Sequence, residues 1–308
     1  MRERSPASDR RAVDGVLLLD KPGGVGSNAV LQHVKRAYRA CKAGHTGSLD
    51  PLATGVLPIC LGRATRAARF LLDADKRYRA TARLGVRTDT GDADGQPTAF
   101  STPSRGSCEQ LAATRERFLG AQTQTPPMYS ALKRGGTPLY ALARRGLEVE
   151  RAPRSVEIHA LELLGCDGTT FSFQVWCSKG TYVRVLAEDW AQSIGQCAHV
   201  TALRRISAGP FDESQTVSMR QIDGASSLQE LDALLVPITR LFAGWPRVRV
   251  DKDAALRLSQ GQRVHVTDAD KVGSVAIVDA SGRVLGVGEV DAAGRVLPKR
   301  WLAQVSDE

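Results

Sequence analysis

The sequence predicts an α+β protein, in which a large unit of mixed helices and strands precedes a small β-rich module. The chain of 308 residues exceeds a typical single domain, which favours two units of unequal size. Helical and strand-like apolar periodicities both occur before residue 246. From Val248 onward, short apolar strands alternate with glycine and aspartate turns. We therefore expect a flexible polar tail over residues 1–12, a large unit over 13–246 and a β module over 247–308.

The first elements of the large unit follow from short apolar runs between turn residues. Residues 16–19 read as a buried strand, and Ser27 is expected to cap the helix that follows. The polar stretch 87–107 is typical of a surface loop. Between these segments we expect a glycine-rich loop at 44–55, a strand at 56–61, a short helix at 64–72 and a strand at 79–86 with Tyr78 at its mouth.

The later elements begin with a helix at 109–119 and an irregular, basic insertion at about 121–150 that includes a short helix. Strict alternation of apolar residues then predicts a strand pair at 155–164 and 169–177. The remaining predicted elements are a helix at 182–194, a strand at 200–206, helix and linker at 212–246, and module strands at 263–266, 274–279, 283–290 and 296–304.

The glycine-rich loop places one carboxylate, Asp50, in a segment with almost no other ionisable group. Three glycines and a proline surround it, and Leu49 and Leu52 flank it with apolar side chains. Partial burial raises the pKa of a carboxyl group, so an ionised nucleophile here requires a cationic partner. The ordinary alternative is an aspartate that only bonds nearby backbone amides, as most loop aspartates before proline do.

One candidate for the partner is Arg184, which follows a glycine turn at a predicted strand-to-helix junction. Most arginines at such positions are surface cations, so position alone does not assign the role. A bidentate guanidinium fork would hold a carboxylate ionised and aimed, which a lysine would not reproduce.

Composition bounds the class of partner and the compartment. The net charge is +9, of which the first 244 residues carry +8, and this bias suits a polyanion while also serving solubility. The six cysteines show no metal-binding spacing and are expected to be buried thiols in a reducing compartment. The sequence shows no apolar run of membrane-spanning length and no signal-peptide core, so we expect a cytoplasmic protein without membrane contact or metal.

Besides the aspartate loop, the chain carries five collinear motifs: Gly15 to Pro22, Asp75 to Tyr78, Pro127 to Lys133, Cys177 to Arg184 and Leu203 to Arg205. Together they resemble the TruB family of tRNA pseudouridine synthases over nearly the full chain. The resemblance implies a pseudouridine synthase core with a mixed, mainly antiparallel sheet flanked by helices, and a PUA-like C-terminal domain. It implies isomerisation of the T-loop uridine of tRNA, uridine 55, with no organic cofactor and no metal. Two departures, Gly26 before Ser27 and Arg66, lie away from the implied chemistry.

The resemblance also implies roles for individual residues. Asp50 would be the nucleophile, Arg184 its partner, and Tyr78 would stack on the target uracil and assist proton removal at C5. Tyr182 and Leu203 would line the base pocket, although both have ordinary core interpretations. His45 would fill the gap left by an extruded base.

Basic residues of the insertion, represented by Lys133, are expected to contact the T arm, since aromatic residues interleave them. Lys21, at the end of the first strand, is expected to have a structural or RNA-facing role near the site.

Two other functions remain open at this point: a non-catalytic tRNA chaperone, and a guide-RNA-dependent synthase subunit within a ribonucleoprotein. The second usually carries long basic extensions, whereas this chain ends in the short acidic segment Val305 to Glu308. We therefore expect a monomeric enzyme that selects the tRNA T-arm stem-loop without an obligate protein partner.

Overall fold

The computed structural model describes residues 10–104, 106–266 and 272–303. Its strands are β1 (Gly15–Lys21), β2 (Ala43–His45), β3 (Thr54–Leu61), β4 (Lys76–Leu84), β5 (Val86–Thr88), β6 (Pro97–Phe100), β7 (Gly120–Gln124), β8 (Lys133–Arg134), β9 (Thr137–Pro138), β10 (Arg154–Cys166), β11 (Thr170–Cys177), β12 (Ala198–Ala208), β13 (Phe211–Asp212), β14 (Val217–Ser218), β15 (Arg247–Arg249), β16 (Val264–His265), β17 (Gly273–Val278), β18 (Val284–Val290) and β19 (Arg295–Trp301). Its helices are α1 (Ser27–Ala37), α2 (Ala68–Leu72), α3 (Ser107–Thr114), α4 (Leu139–Ala143), α5 (Val183–Gln192), α6 (Met219–Asp223), α7 (Leu228–Ala233) and α8 (Lys252–Ser259).

The large unit is built on one mixed sheet, whose path runs β14-β1-β3-β12-β4-β11-β10-β7. The pairs β1–β14 and β3–β12 are parallel, and every other pair along the path is antiparallel. A second sheet, ordered β15-β17-β18-β19-β16, forms the C-terminal module. The predicted α+β class is therefore confirmed, while the domain boundaries at residues 12 and 246 stay predictions.

Two apolar clusters bury opposite faces of the main sheet. On one face, helices α1, α3 and α5 contribute to one cluster, in which the ring centroid of Trp190 on α5 lies 5.6 Å from those of Phe171 and Phe173. On the other face, Phe211 and Phe242 join the outer side chains of β1 and β3 to residues of the C-terminal module. The second cluster contains no residue of β4, β10 or β11, so it covers only part of that face.

The prediction of a surface loop at 87–107 is wrong for its first part, up to residue 100. Strands β5 and β6 pair as a hairpin there, and the Thr88 and Asp92 side chains are buried. The Thr88 hydroxyl donates to the Asp92 carbonyl at 2.7 Å. A polar sequence is stable in this buried position because its hydrogen-bonding groups find partners within the protein.

The insertion also begins in regular structure, where sequence reasoning expected irregular chain. Strand β7 pairs with β10 alone and forms the edge of the main sheet. Three of its five residues are exposed and the one buried residue is Gln124, so its sequence lacks the apolar alternation seen in the central strands.

Ser27 was predicted to cap α1, and this prediction is wrong because its hydroxyl makes a tertiary contact instead. The N-cap is Gly26, without a side-chain cap. The Ser27 hydroxyl accepts from the Leu49 amide at 2.7 Å and donates to the Leu49 carbonyl at 2.8 Å. Helix α1 is therefore tied directly to the aspartate loop, one residue before Asp50.

The N-terminal tail prediction covers residues 1–12, of which 1–9 lie outside the described residues. Arg11 is held firmly, contrary to that prediction: its guanidinium donates to both Asp232 oxygens at 2.6 and 2.5 Å, and to the Tyr38 carbonyl at 3.0 Å. The acidic C-terminal segment, Val305 to Glu308, lies entirely outside the described residues. Helix α8, within the module, was not predicted.

The expectation of six buried thiols is wrong for four cysteines. Cys108 on α3 and Cys166 at the end of β10 form a disulfide, because the two elements bring their Cα atoms to 5.7 Å. Cys41 is exposed and Cys197 half-buried, whereas Cys60 and Cys177 are buried. A separation of 58 residues left no signal of this pairing in the sequence. Within the described residues, no helix is long and apolar enough to cross a membrane.

Candidate active site

The aspartate loop connects β2 to β3 and is held from below by a buried lysine. Lys21 has no exposed surface, and its ammonium donates to the carbonyls of Ala53 at 2.7 Å, Pro22 at 2.8 Å and Pro51 at 3.3 Å. Burial lowers the pKa of Lys21 to about 8, against the raising effect of the Asp50 charge. Because its ammonium is occupied by carbonyls, Lys21 shapes the loop around Asp50.

A buried arginine holds the same loop from the neighbouring strand. Arg205, on β12, is 1% exposed and donates to the Val56 carbonyl at 2.6 Å and the Gly47 carbonyl at 3.1 Å. The backbone of β12 also approaches the loop closely at Gly55, where a Cβ atom would lie 2.2 Å from the Arg205 carbonyl oxygen. Only glycine fits this position, and its φ of 99° is also one that other residues avoid.

The loop delivers Asp50 to Arg184, which is the second residue of α5. The Asp50 Oδ2 atom lies 2.9 Å from Arg184 Nη2. The Arg184 side chain is 4% exposed, whereas that of Asp50 is 38% exposed and remains open to an approaching molecule. The sequence-predicted pair is thus brought together, with the nucleophile candidate on the accessible side.

The Arg184 guanidinium does not form the expected bidentate pair with Asp50. Its Nη2 also donates to the Tyr129 carbonyl at 2.9 Å. Its Nη1 donates to the Thr90 carbonyl and lies 3.4 Å from Asp92 Oδ2. Two carboxylates therefore share one guanidinium, because the hairpin after β4 brings the buried Asp92 to the far side of Arg184.

The electrostatic balance at Asp50 favours the protonated form more than in water. Burial raises the pKa of Asp50, the Arg184 guanidinium lowers it, and the Asp92 charge raises it again. The net direction is upward. Arg184 therefore offsets only part of the cost of ionising Asp50 in this position.

A cavity of about 330 Å³ opens in front of the ion pair, a volume typical of small-ligand pockets. Tyr78, Tyr182 and Leu203 line it together with Asp50 and Arg184. Tyr78 lies within β4, two residues after its start and not at its mouth, and projects to the same face as its neighbour across the sheet, Arg205. Burial raises the pKa of Tyr78, against the effect of the nearby guanidinium.

Tyr182 is fixed from two sides at the entrance of α5. The Arg154 guanidinium lies 4.6 Å from the centre of its ring. Its backbone amide donates to Gln124 Oε1 at 3.0 Å, and its carbonyl accepts from Gln124 Nε2 at 3.3 Å. Gln124 belongs to the edge strand β7, so the edge of the sheet positions an aromatic side chain of the cavity.

The other three predicted site residues lie outside the cavity lining. Lys21 is beneath the loop, as described. His45 is on β2, half-buried, with Nδ1 lacking a hydrogen-bond partner among the described residues, and burial lowers its pKa. Lys133 is exposed on the small β8–β9 hairpin.

Two residues of the site were missed. Arg205 could have been found, because it lies two positions after the inward-facing Leu203 on a strand and therefore shares its face. Asp92 carried no such signal, since nothing in a polar stretch marks one aspartate as buried. Within the described ranges, no three histidine, cysteine or acidic side chains form a group able to hold a metal ion.

Comparison with known proteins assigns the chain to a family. The model "TruB family pseudouridylate synthase (N terminal domain)" matches residues 35–183, and two C-terminal models of the same family match 184–243 and 246–302. A protein of Stutzerimonas stutzeri named tRNA pseudouridine synthase B is 50% identical over 294 residues, covering 94% of this chain and 96% of its own. The chain belongs to the TruB family. A protein of the same name from Nitrosococcus oceani is 47% identical, with 94% of each chain covered.

Solved structures agree on the fold of this TruB-family chain. One is described as an H/ACA RNP bound to a substrate RNA containing 2'-deoxyuridine, with a TM-score of 0.71, 22% identity and coverage of 94% of this chain and 85% of the other. A second, described as a Cbf5-Nop10-Gar1 complex, has a TM-score of 0.70, 24% identity and coverage of 94% and 84%. At these identities the likeness concerns the fold alone.

Proposed function

We propose that this protein isomerises uridine to pseudouridine in tRNA, at the T-loop position 55, with Asp50 as the nucleophile. The observation that carries the proposal is the Asp50–Arg184 contact of 2.9 Å at the wall of a cavity lined by Tyr78 and Leu203. Membership of the family and the names of relatives at about half identity support the reaction and the tRNA substrate. The T-loop position rests on the resemblance described above.

The reaction rearranges one nucleoside without a net gain or loss of atoms. The Asp50 carboxylate adds to the nucleoside, at C6 of the uracil or at C1′ of the ribose, and the bond between N1 and C1′ breaks. The base turns and bonds to C1′ through C5. The carboxylate leaves C1′ as that bond forms, or leaves C6 after it has formed. The C5 proton then leaves and N1 is protonated, which restores the aromatic ring.

Each cavity residue has a part in this sequence that fits its position. Tyr78 offers a ring face for the uracil and a hydroxyl near the C5 proton; its raised pKa makes it a relay or orienting group, since a phenolate is scarce at neutral pH. Arg184 keeps the carboxylate aimed and partly offsets its burial. Leu203 and Tyr182 close the sides of the base pocket.

The base must leave the folded T loop to reach Asp50, since Asp50 lines a cavity and does not lie on a flat surface. Extrusion costs a few kcal/mol, which stacking in the cavity can offset. We place His45 and Lys133 outside the cavity, on the RNA side of the enzyme: His45 near the vacated stack and Lys133 on the T-arm backbone. Lys21 keeps a structural role in this proposal.

Release of tritium from tRNA carrying 5-tritiated uridine tests the nucleophile. We expect Asp50→Asn to release none, while binding tRNA as the wild type does. Normal release by this variant would remove Asp50 from the proposed role. Wild-type protein that binds and refolds tRNA but releases no tritium would instead favour the chaperone function.

We also propose that the enzyme acts alone, as a cytoplasmic monomer. Purified protein should modify an isolated T-arm stem-loop. A strict requirement for other subunits would favour the guide-RNA-dependent alternative.

A further inference from the structure

The main sheet has an uncovered area on the face that points away from the catalytic cavity. Helices α1, α3 and α5 cover the cavity face, and the second apolar cluster covers the outer face at β1 and β3. On β4 and β11 the outward side chains are exposed or half-buried. They are Arg77, Arg79, Thr81 and Arg83 on β4, and Thr170, Ser172, Gln174 and Trp176 on β11. We call these eight side chains the outer face.

The outer face carries positive charge in a line. Arg77, Arg79 and Arg83 occupy alternate positions of one strand, and the first and last are about 20 Å apart at the rise of a β-strand. None of the three has an ion-pair partner within the described part of the chain. The basic neighbour Arg204 on β12 is already paired with two carboxylates. Four exposed or half-exposed acids flank the outer face: Glu162 on β10, Asp167, which accepts from the Thr170 hydroxyl at 2.9 Å, and Asp75 and Glu157, which lie 3.2 and 3.8 Å from the His159 ring nitrogens.

An exposed aromatic ring lies at one end of this line. Trp176 is 38% exposed and pairs across the strands with Arg77, whose guanidinium lies 4.7 Å from the centre of the indole. The His159 ring lies 4.8 Å from the same indole. A nucleobase stacks on an aromatic ring more strongly than an exposed guanidinium does, so a base can replace Arg77 there. Arg77 is then free to meet a phosphate.

We propose that the outer face binds an unpaired RNA strand, with one base on Trp176 and phosphates on Arg79 and Arg83. A line of arginines on a flat sheet, with small polar side chains beside them, accommodates an extended RNA backbone. The Thr81 and Ser172 hydroxyls, 2.9 Å apart, leave the middle of the surface low and polar. Paired bases keep their faces stacked inside a duplex and cannot reach Trp176, so the surface fits a single strand.

This surface lies on the opposite side of the sheet from Asp50 and is independent of the proposed catalysis. The occupant is a separate unpaired RNA molecule, which presents exposed bases and a phosphate backbone to the outer face.

The test uses the full chain and a fluorescein-labelled oligoadenylate of about 12 nucleotides, within the site sizes of unpaired-strand binders. We expect Trp176→Leu, and separately the double variant Arg79→Ser with Arg83→Ser, to weaken binding at least about tenfold. The double variant should also reduce the slope of log affinity against log salt by about 1.4, the value for two lost phosphates of a single strand. Trp176→Phe keeps an aromatic face and should retain binding.

The matched control is Arg115→Ser with Arg117→Ser, which removes the same charge from the surface after α3. It should bind the oligonucleotide as the wild type does. Tritium release from a T-arm stem-loop should be unchanged in every variant, so a failure of the proposed catalysis is read separately.

Three results would overturn the proposal. The first is an absence of saturable binding to the wild type, and the second is equal binding by the outer-face variants and the control. The third is equal loss of binding to a hairpin duplex of the same length in the outer-face variants, since that would assign the surface to paired RNA. If Trp176→Phe lost as much affinity for the oligonucleotide as Trp176→Leu does, the proposed stacking of a base on Trp176 would be excluded.

Discussion

Replacing Arg184 by lysine tests the geometry of the site more sharply than removing its charge would. The guanidinium simultaneously reaches Asp50, Asp92 and two backbone carbonyls, whereas an ammonium is a single point donor. At least one carboxylate therefore loses a charge-assisted hydrogen bond worth about 1.5–3 kcal/mol. At about 1.36 kcal/mol for each factor of ten, kcat should fall about 10- to 150-fold.

The tRNA affinity of Arg184→Lys should change little, because the side chain is 4% exposed and lies behind Asp50. Single-turnover tritium release measures the chemical step, and filter binding measures the affinity. Arg204→Lys is the matched control: Arg204 pairs with Asp20 through both terminal nitrogens at 2.9 and 3.1 Å and lies outside the cavity lining, so turnover should persist. Equal losses of turnover and affinity in Arg184→Lys would refute the pairing argument.

Three further predictions follow from the geometry. Burial raises the pKa of Asp50, and the carboxylate is the reactive form. As the pH is lowered, kcat should therefore begin to decline above the ordinary aspartate pKa of about 3.9. A constant kcat down to that pH in folded protein would contradict this. Gly55→Ala should unfold the loop or lower the unfolding free energy by more than about 2 kcal/mol, since its Cβ would meet a carbonyl of β12. Gly44→Ala is the control, because its Cβ enters open space. Chemical denaturation should show no change in the stability of this control. Cys108→Ser should lower the unfolding free energy by up to about 4 kcal/mol, because the disulfide closes a loop and reduces the entropy of the unfolded chain. Reduction of the wild type should have the same effect. A Cys108 thiol that reacts in the native, unreduced protein would rule out its bond to Cys166.

The local sequence around each site residue explains which of them could be predicted from the sequence. Asp50 is conspicuous because rigid turn residues surround it, and Arg184 because it follows a glycine turn at a junction between elements. The two residues are 134 positions apart in the sequence and no local pattern connects them, so only the resemblance assigned them to each other. Neither the local patterns nor the resemblance predicted that Asp50 and Asp92 share the Arg184 guanidinium.

By itself, the sequence determined the features that depend on local periodicity and turn chemistry. These are the buried first strand, the β10–β11 pair with its inward phenylalanines, helix α5 and the strand-rich module at the C-terminal end. Apolar alternation and glycine positions act over a few residues, and the fold leaves those preferences intact.

Only the tertiary structure decided where polar groups find their partners. Ser27 abandons a local cap for the Leu49 backbone, Lys21 turns inward to loop carbonyls, and Asp92 is buried against Arg184. The Cys108–Cys166 bond likewise depends on two distant elements meeting. Hydrogen bonds and charges are satisfied by whichever groups the packed chain brings within about 3 Å, and that choice is made in space after the local elements have formed.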